Sequence, residues 1–150
     1  MRGIMAGVFL VAAACGGGDP GGPTTSHALA GEWIYETWSL QDGFGATCST
    51  EDSQLTLVQH GVTFDGQVLF GTISCTWPNG SSSASLGSSQ VRTGTIRGDS
   101  VSYDFDRGAW RSIGIIVTPD SMAGIVNAIY TISGGGSLIL TGFWSATRAP

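Results

Sequence analysis

The chain has 150 residues, enough for one domain with its own core, and 41% of them are hydrophobic, which excludes a disordered composition. It carries six arginines, no lysine and a net charge of −5. Because nucleic acids and anionic membranes are bound through clustered basic side chains, this balance argues against both as partners. No glycine-rich motif stands between a predicted strand and a predicted helix, so we expect no nucleotide or other cofactor.

The N-terminal residues 1–14 are typical of an export signal. After Arg2, residues 4–14 form an apolar run that is too short to cross a bilayer, which takes about 20 residues. The run ends in Val11-Ala12-Ala13-Ala14-Cys15, which resembles the lipobox of bacterial lipoproteins. The resemblance implies cleavage before Cys15, lipidation of its thiol by acyl groups such as palmitate, and a domain held on a membrane of the bacterial cell envelope, outside the cytoplasm. An ordinary secretory signal cut nearby is the alternative.

The segment after the lipobox has the composition of a linker. Glycine and proline dominate residues 16–23, and little in the segment could be buried. We therefore expect residues 15–30 to form a lipidated, flexible tether and residues 31–150 to form the folded domain.

The domain is predicted to be all-β. Short runs of alternating, β-branched and aromatic residues are separated by turn dipeptides such as Asn79-Gly80, and no window has helical periodicity with caps. The predicted strands are Glu32–Leu40, Gln54–Gln59, Val62–Phe70, Thr72–Trp77, Gln90–Arg97, Ser100–Asp106, Trp110–Thr118, Met122–Ile132 and Ser137–Thr147. Tight links between them predict an antiparallel up-and-down meander. Glycines within the strands favour a closed barrel of about eight strands, with a β-sandwich as the alternative.

Two cysteines remain in the domain, Cys48 and Cys75. In an oxidising compartment such a pair in a small domain predicts a disulfide. No second histidine or cysteine stands at ligand spacing near either one, so we expect no metal site.

The two ends of the domain resemble those of lipocalins and avidin-type barrels, the calycin superfamily. Gly31-Glu32-Trp33 is similar to the Gly-x-Trp motif of their first strand, and the last strand ends in Arg148. The resemblance implies that Arg148 packs across the Trp33 ring and closes the floor of the barrel. The order of lipobox, tether, barrel and disulfide is also similar to that of bacterial lipoproteins with a protease-inhibitor barrel.

The sequence contains no convincing catalytic motif, and we do not expect the protein to be an enzyme. The stretch from Gly80 to Ser85 lacks the second glycine of a serine-hydrolase elbow and is interpreted as a loop. His60, the only histidine of the predicted folded domain, stands in a predicted turn. Glu51-Asp52 stands in a predicted loop, and Asp104 with Asp106 is predicted on a solvent face.

The aromatic residues are the strongest functional signal. Tyr35, Phe64, Tyr103, Phe105 and Trp110 are predicted to line a cavity for one small apolar ligand, with Gln59, Arg92 or Asn127 as polar contacts. The alternative is a filled core. In that case the barrel is a structural envelope component, or it binds a protein partner through its tether or through the loop predicted over residues 77–87.

Overall fold

The computed structural model describes residues 27–105, 110–131 and 136–150, so the predicted export signal, Cys15 and Asp106 lie outside the described residues. The predicted fold class is confirmed: eight antiparallel strands form a closed barrel in which each strand pairs with its sequence neighbours and the last pairs with the first. The strands are β1 (Gly31–Gln41), β2 (Thr47–His60), β3 (Thr63–Trp77), β4 (Gly80–Arg97), β5 (Ser100–Phe105), β6 (Trp110–Thr118), β7 (Ser121–Thr131) and β8 (Ser137–Arg148). No helix within these ranges is long and apolar enough to cross a membrane.

Side-chain alternation sorts each strand between the barrel interior and its outer surface. In β5 the side chains of Val101, Tyr103 and Phe105 are buried, whereas Asp104 between the last two is half-buried and lies beside Arg111 on the outer surface. The same period of two runs along the other strands, because successive side chains of a strand point to opposite faces. The core is therefore the barrel interior.

The third strand corrects the sequence prediction, which divided it in two at Gly71. The strand continues through this glycine, and its inward-facing positions shift from Val68 and Phe70 to Ile73 and Cys75. An added Cβ at Gly71 would collide with the carbonyl oxygen of Glu51. The glycine therefore permits a close approach of β2 and β3 and does not end the strand.

The fourth strand corrects a second prediction. Residues 77–87 were expected to form a loop, but most of them pair within the β3–β4 hairpin, with Ser83 opposite Ser74 and Ser85 opposite Thr72. Only Pro78 and Asn79 turn the chain between β3 and β4. Serine occupies both faces of this stretch, so the alternation that marks a strand is missing from the sequence. Glu51 and Asp52, also expected in a loop, lie within β2.

A pair of glycines lies beside a fully buried tryptophan. Gly114 of β6 lies opposite Gly124 of β7, and Trp144 of β8 is fully buried. An added Cβ at Gly114 would lie 2.8 Å from the Trp144 ring, and one at Gly124 would collide with the Ile113 carbonyl oxygen. Gly114 therefore makes room for the indole, and Gly124 permits a close approach of β6 and β7.

Candidate ligand-binding site at the loop end of the barrel

One end of the barrel, which we call the floor, is covered by residues 27–30. Leu29 is fully buried, and its carbonyl oxygen accepts a hydrogen bond from the Trp33 indole at 2.9 Å. The Gln59 side chain accepts from the Leu29 amide at 2.6 Å and donates to the His27 carbonyl at 2.8 Å. The chain before β1 therefore lies against the barrel and covers this end of the core.

Arg148 adds a second layer to the floor. Its guanidinium carbon lies 4.4 Å from the centroid of the Trp33 ring, in a cation–π arrangement. The same guanidinium donates to the carbonyl oxygens of Ala28 at 2.8 Å and Ala30 at 3.0 Å, and to the Asp120 carboxylate at 2.9 Å. One side chain thus holds the N-terminal segment, the turn between β6 and β7, and the last strand together.

Seven aromatic rings fill the middle of the barrel. They include the five residues predicted to line a cavity, Tyr35, Phe64, Tyr103, Phe105 and Trp110, all of which are buried. Phe70 and Trp144 complete the cluster, and neighbouring ring centroids lie 5.0–6.4 Å apart. The structure therefore brings the predicted residues together, but as rings packed on one another. Trp144 could have been found from the inward alternation of Leu140, Trp144 and Ala146 along β8.

Three hydroxyl groups lie within this aromatic cluster. The Tyr35 hydroxyl is 3.3 Å from that of Ser112, and both side chains are fully buried. The Tyr103 hydroxyl is also buried and makes no hydrogen bond of good geometry, although Ser112 is near enough to affect its pKa. Burial raises the pKa of Tyr103 well above its usual value of 10.0, the nearby Tyr35 raises it further, and Ser112 offsets part of this rise. Burial likewise raises the pKa of Tyr35, against a smaller opposing effect of its hydrogen bond to Ser112.

The opposite end of the barrel, which we call the loop end, carries an apolar cup. We give the name cup to four half-buried apolar side chains at this end that pack against the core: Trp77, Ala84, Leu86 and Leu138. They belong to the beginning of β8 and to the hairpin of β3 and β4. We call Phe70 and Trp110 the base of the cup; these two core rings have centroids 5.0 Å apart and are 7% and 6% exposed. Apolar surface at the end of a barrel is suited to an apolar ligand.

The predicted disulfide between Cys48 and Cys75 is confirmed, and it lies at this loop end. The two residues are directly opposite on β2 and β3, with Cα atoms 4.1 Å apart and 27 positions apart in sequence. Both are buried in the core. The disulfide therefore ties β2 to the hairpin that carries Trp77, Ala84 and Leu86.

The predicted polar contacts lie elsewhere, so that prediction is wrong. Gln59 belongs to the floor, and Arg92 and Asn127 are exposed on the outer surface, where Asn127 accepts a hydrogen bond from Thr141 at 3.0 Å. The loop predicted over residues 77–87 as a protein-binding surface is a hairpin, as described above. Its exposed side chains are mainly serines, and its apolar ones face the cup.

Candidate catalytic groups are dispersed over the outside of the barrel. His60 lies 3.6 Å from Asp65, and both side chains are exposed. His27 pairs with Asp99 at 2.8 Å beside the floor. Within residues 27–105, 110–131 and 136–150, no three histidine, cysteine or acidic side chains are grouped so as to hold a metal ion.

Comparison of the chain with protein-family models, curated protein sequences and solved structures finds no match. The closed, antiparallel, eight-stranded barrel is consistent with a lipocalin-like architecture. The functional argument therefore depends on the geometry of this chain.

Proposed function

We propose that the domain binds one small, mainly apolar molecule at the loop end of the barrel, as the binding domain of a lipid-anchored envelope protein without catalytic activity. The observation that supports this is the difference between the two ends. The floor is covered by Leu29, Trp33 and Arg148, whereas inward-facing Leu86 and Leu138 at the loop end remain partly exposed.

The binding energy would come from removing apolar surface from water. Each square ångström of buried apolar surface contributes about 25 cal/mol, and aromatic rings add directional contacts of their own. Leu86, Leu138 and Trp77 offer apolar surface for such contacts, and the Phe70 and Trp110 rings belong to the packed core, 7% and 6% exposed. Because Phe70, Phe105 and Trp110 are already packed together, the base is preorganised and little ordering entropy would be lost on binding.

The proposal can be tested with a neutral fluorescent probe, N-phenyl-1-naphthylamine, and the full chain carrying Cys15→Ser so that no lipid is attached. We expect saturable binding by the parent chain and at least about a tenfold loss of affinity for Leu86→Glu, because a carboxylate in the cup must be desolvated when the ligand binds. Leu69→Glu is the matched control, since Leu69 is 54% exposed on the outer surface of the same hairpin. Equal affinities of the two variants, or no saturable binding by the parent, would contradict the proposal.

The lipid anchor is tested separately. Replacing Cys15 with serine removes the thiol that the lipobox resemblance implies to be lipidated, so the protein should move from the membrane fraction to the soluble envelope fraction. Cys15 is followed directly by Gly16 to Gly18, so Gly17→Ser is a suitable control and should stay in the membrane fraction. Membrane association that survives Cys15→Ser would reject the anchor.

A further inference from the structure

A continuous apolar row crosses the outer surface of four strands. Ile113 of β6 lies opposite Ile125 of β7, Ile125 lies opposite Phe143 of β8, and Phe143 lies opposite Trp38 of β1. The Trp38 and Phe143 rings stack, with centroids 6.2 Å apart and planes inclined by 27°. Four large apolar side chains in register thus face outward, away from the barrel core.

Further apolar residues extend this row into a broad surface, which we call the apolar face. Its nine large side chains are between 40% and 68% exposed: Ile34, Trp38, Ile113, Ile115, Val117, Ile125, Ile129, Ile139 and Phe143. With each about half exposed, they present on the order of 800 Å² of side-chain surface. A typical soluble monomer has a largest apolar patch of about 300–600 Å², and a standard protein interface takes about 800 Å² from each partner. The apolar face is therefore large enough for one side of a stable interface.

A groove gives the apolar face a definite shape. It has a volume of about 400 Å³ and lies where Ala123 stands between larger neighbours, with Gly114 and Gly124 in its floor. Ile115 and Val117 line one side, and the Trp38–Phe143 stack is part of the other. The surface therefore has an aromatic ridge next to an apolar groove.

Most of the charged side chains of the barrel lie on the surface opposite the apolar face, so a partner could cover the apolar face without burying many charges. β7 carries no charged residue, β6 carries only Arg111, and β8 carries only Arg148, whose guanidinium binds at the floor. β1 carries Glu32 and Glu36, and Glu36 stands between Ile34 and Trp38 at the edge of the apolar face. The outer surface of β2 to β5, which we call the polar face, carries Glu51, Asp52, Asp65, Arg92, Arg97 and Asp104. Two chains joined through their apolar faces would keep their polar faces in water and apart. The shortage of basic side chains disfavours an anionic lipid surface as the occupant.

We propose that the apolar face binds a second copy of this chain, in a two-fold symmetric dimer. The aromatic ridge of Trp38 and Phe143 on each copy packs against the groove at Ala123 on the other. A ridge beside a groove on one surface is self-complementary under a two-fold axis, which is the geometry of an isologous interface. Ile125 lies between the ridge and the groove, close to the two-fold axis of the dimer. A substitution of Ile125 therefore places two altered side chains, one from each copy, in the interface.

Sedimentation velocity of the full chain carrying Cys15→Ser tests this, over loading concentrations from about 1 to about 100 µM, where an interface of this size should be populated. We expect a dimer that dissociates on dilution. Ile125→Glu should weaken association at least about 100-fold, because two carboxylates would be desolvated near the axis. Leu69→Glu, an equally exposed substitution on the polar face, should dimerise like the parent. Circular dichroism of each variant establishes that it is folded.

A second readout uses Trp38, which is 42% exposed in the single chain. Dimer formation should reduce acrylamide quenching of its fluorescence, measured as the difference between the parent and Trp38→Phe.

A parent that stays monomeric at the highest concentration, or an Ile125→Glu variant that associates like Leu69→Glu, would overturn the proposal. A monomer that binds neutral phosphatidylcholine vesicles and loses this binding in Ile125→Glu would assign the face to a lipid surface and reject the dimer. Because Ile125 points away from the cup, probe binding should be unchanged in this variant, so the two proposals fail independently.

Discussion

The two ends of this barrel are built from different interactions. At the floor, the Arg148 guanidinium stacks on Trp33 and donates hydrogen bonds to two other segments of the chain, the residues before β1 and the turn between β6 and β7. At the loop end, Leu86, Leu138 and Trp77 contact the core while part of their surface stays in water. The apolar residues of the floor are buried and stabilise the fold, whereas part of the apolar surface at the loop end remains accessible to a ligand.

This difference separates the residues that should determine stability from those that should determine binding. A buried ring with a stacked cation, such as Trp33, contributes its free energy whether or not a ligand is present. A half-exposed side chain of the cup contributes most when something covers it. Substitutions at the floor should therefore lower stability and leave affinity intact, and substitutions in the cup should do the reverse.

The largest expected effect is at the floor. Trp33→Ala should lower the free energy of unfolding by roughly 3–5 kcal/mol, as deletions of large buried aromatic side chains do. Trp33 is 1% exposed, whereas Trp38, a tryptophan of the same strand, is 42% exposed on the outer surface. Trp38→Ala is therefore the matched control and should cost well under half as much in urea unfolding at low protein concentration. Similar losses in both variants would show that Trp33 does not hold the floor.

The disulfide gives the next largest effect and tests the loop end. Replacing Cys48 and Cys75 by alanine together should cost roughly 3 kcal/mol, because the crosslink restricts the unfolded chain over 27 positions. Thermal unfolding of the double variant measures this loss. Probe affinity should also fall, since β2 no longer ties the hairpin that carries Ala84 and Leu86. An unchanged affinity in a folded double variant would show that the disulfide does not position the cup.

The buried tyrosines between the two ends give a pH-dependent effect, which is smaller for each residue. Unfolded tyrosine ionises near pH 10, whereas burial keeps Tyr35 and Tyr103 protonated in the folded chain to higher pH. Above pH 10 the unfolded state therefore loses protons that the folded state keeps, and stability falls as pH rises. The slope should approach about 1.4 kcal/mol per pH unit for each tyrosine. Urea unfolding between pH 8 and pH 11.5 measures it, and each Tyr→Phe variant should reduce the slope.

The Tyr35→Phe and Tyr103→Phe variants should differ in stability at neutral pH. Tyr35→Phe removes a hydrogen bond to Ser112 and should cost about 1 kcal/mol. Tyr103→Phe removes a buried hydroxyl that makes no hydrogen bond of good geometry and should raise stability by about 1 kcal/mol. A loss of stability in Tyr103→Phe would show that this hydroxyl has a partner in solution.

The sequence predicts the fold well where side chains alternate and poorly where they do not. The strand ending in Phe105 is marked by alternating apolar and polar residues, and the predicted inward faces of Tyr103 and Phe105 are correct. The serine-rich stretch of residues 80–89 has no such contrast, so its pairing with β3 could not be found from the pattern. Gly71 was interpreted as a break because a single sequence does not show whether a glycine ends a strand or permits a close approach.

The site was predictable only in part, for a related reason. Alternation places Tyr35, Tyr103 and Phe105 on inward faces, but it does not specify at what height along the barrel axis each ring lies. That height depends on the stagger of the strands, on shifts in register such as the one between Phe64 and Gly66 in the pairing of β3 with β4, and on the change of the inward face of β3 at Gly71. The separation of a packed aromatic middle from a half-exposed cup at Leu86 and Leu138 therefore emerges only in three dimensions. For the same reason, Gln59 was predicted to contact the ligand, whereas it lies at the floor.

The central claim is that the cup at the loop end holds a small apolar molecule. Its most direct test is native mass spectrometry of the Cys15→Ser chain, exported to an oxidising periplasm and purified without detergent. We predict a discrete additional mass that dissociates under mild activation, that is absent from Leu86→Glu and that remains in Leu69→Glu. A bare mass in all three proteins, before and after incubation with N-phenyl-1-naphthylamine, would contradict the claim and indicate a barrel with a filled interior.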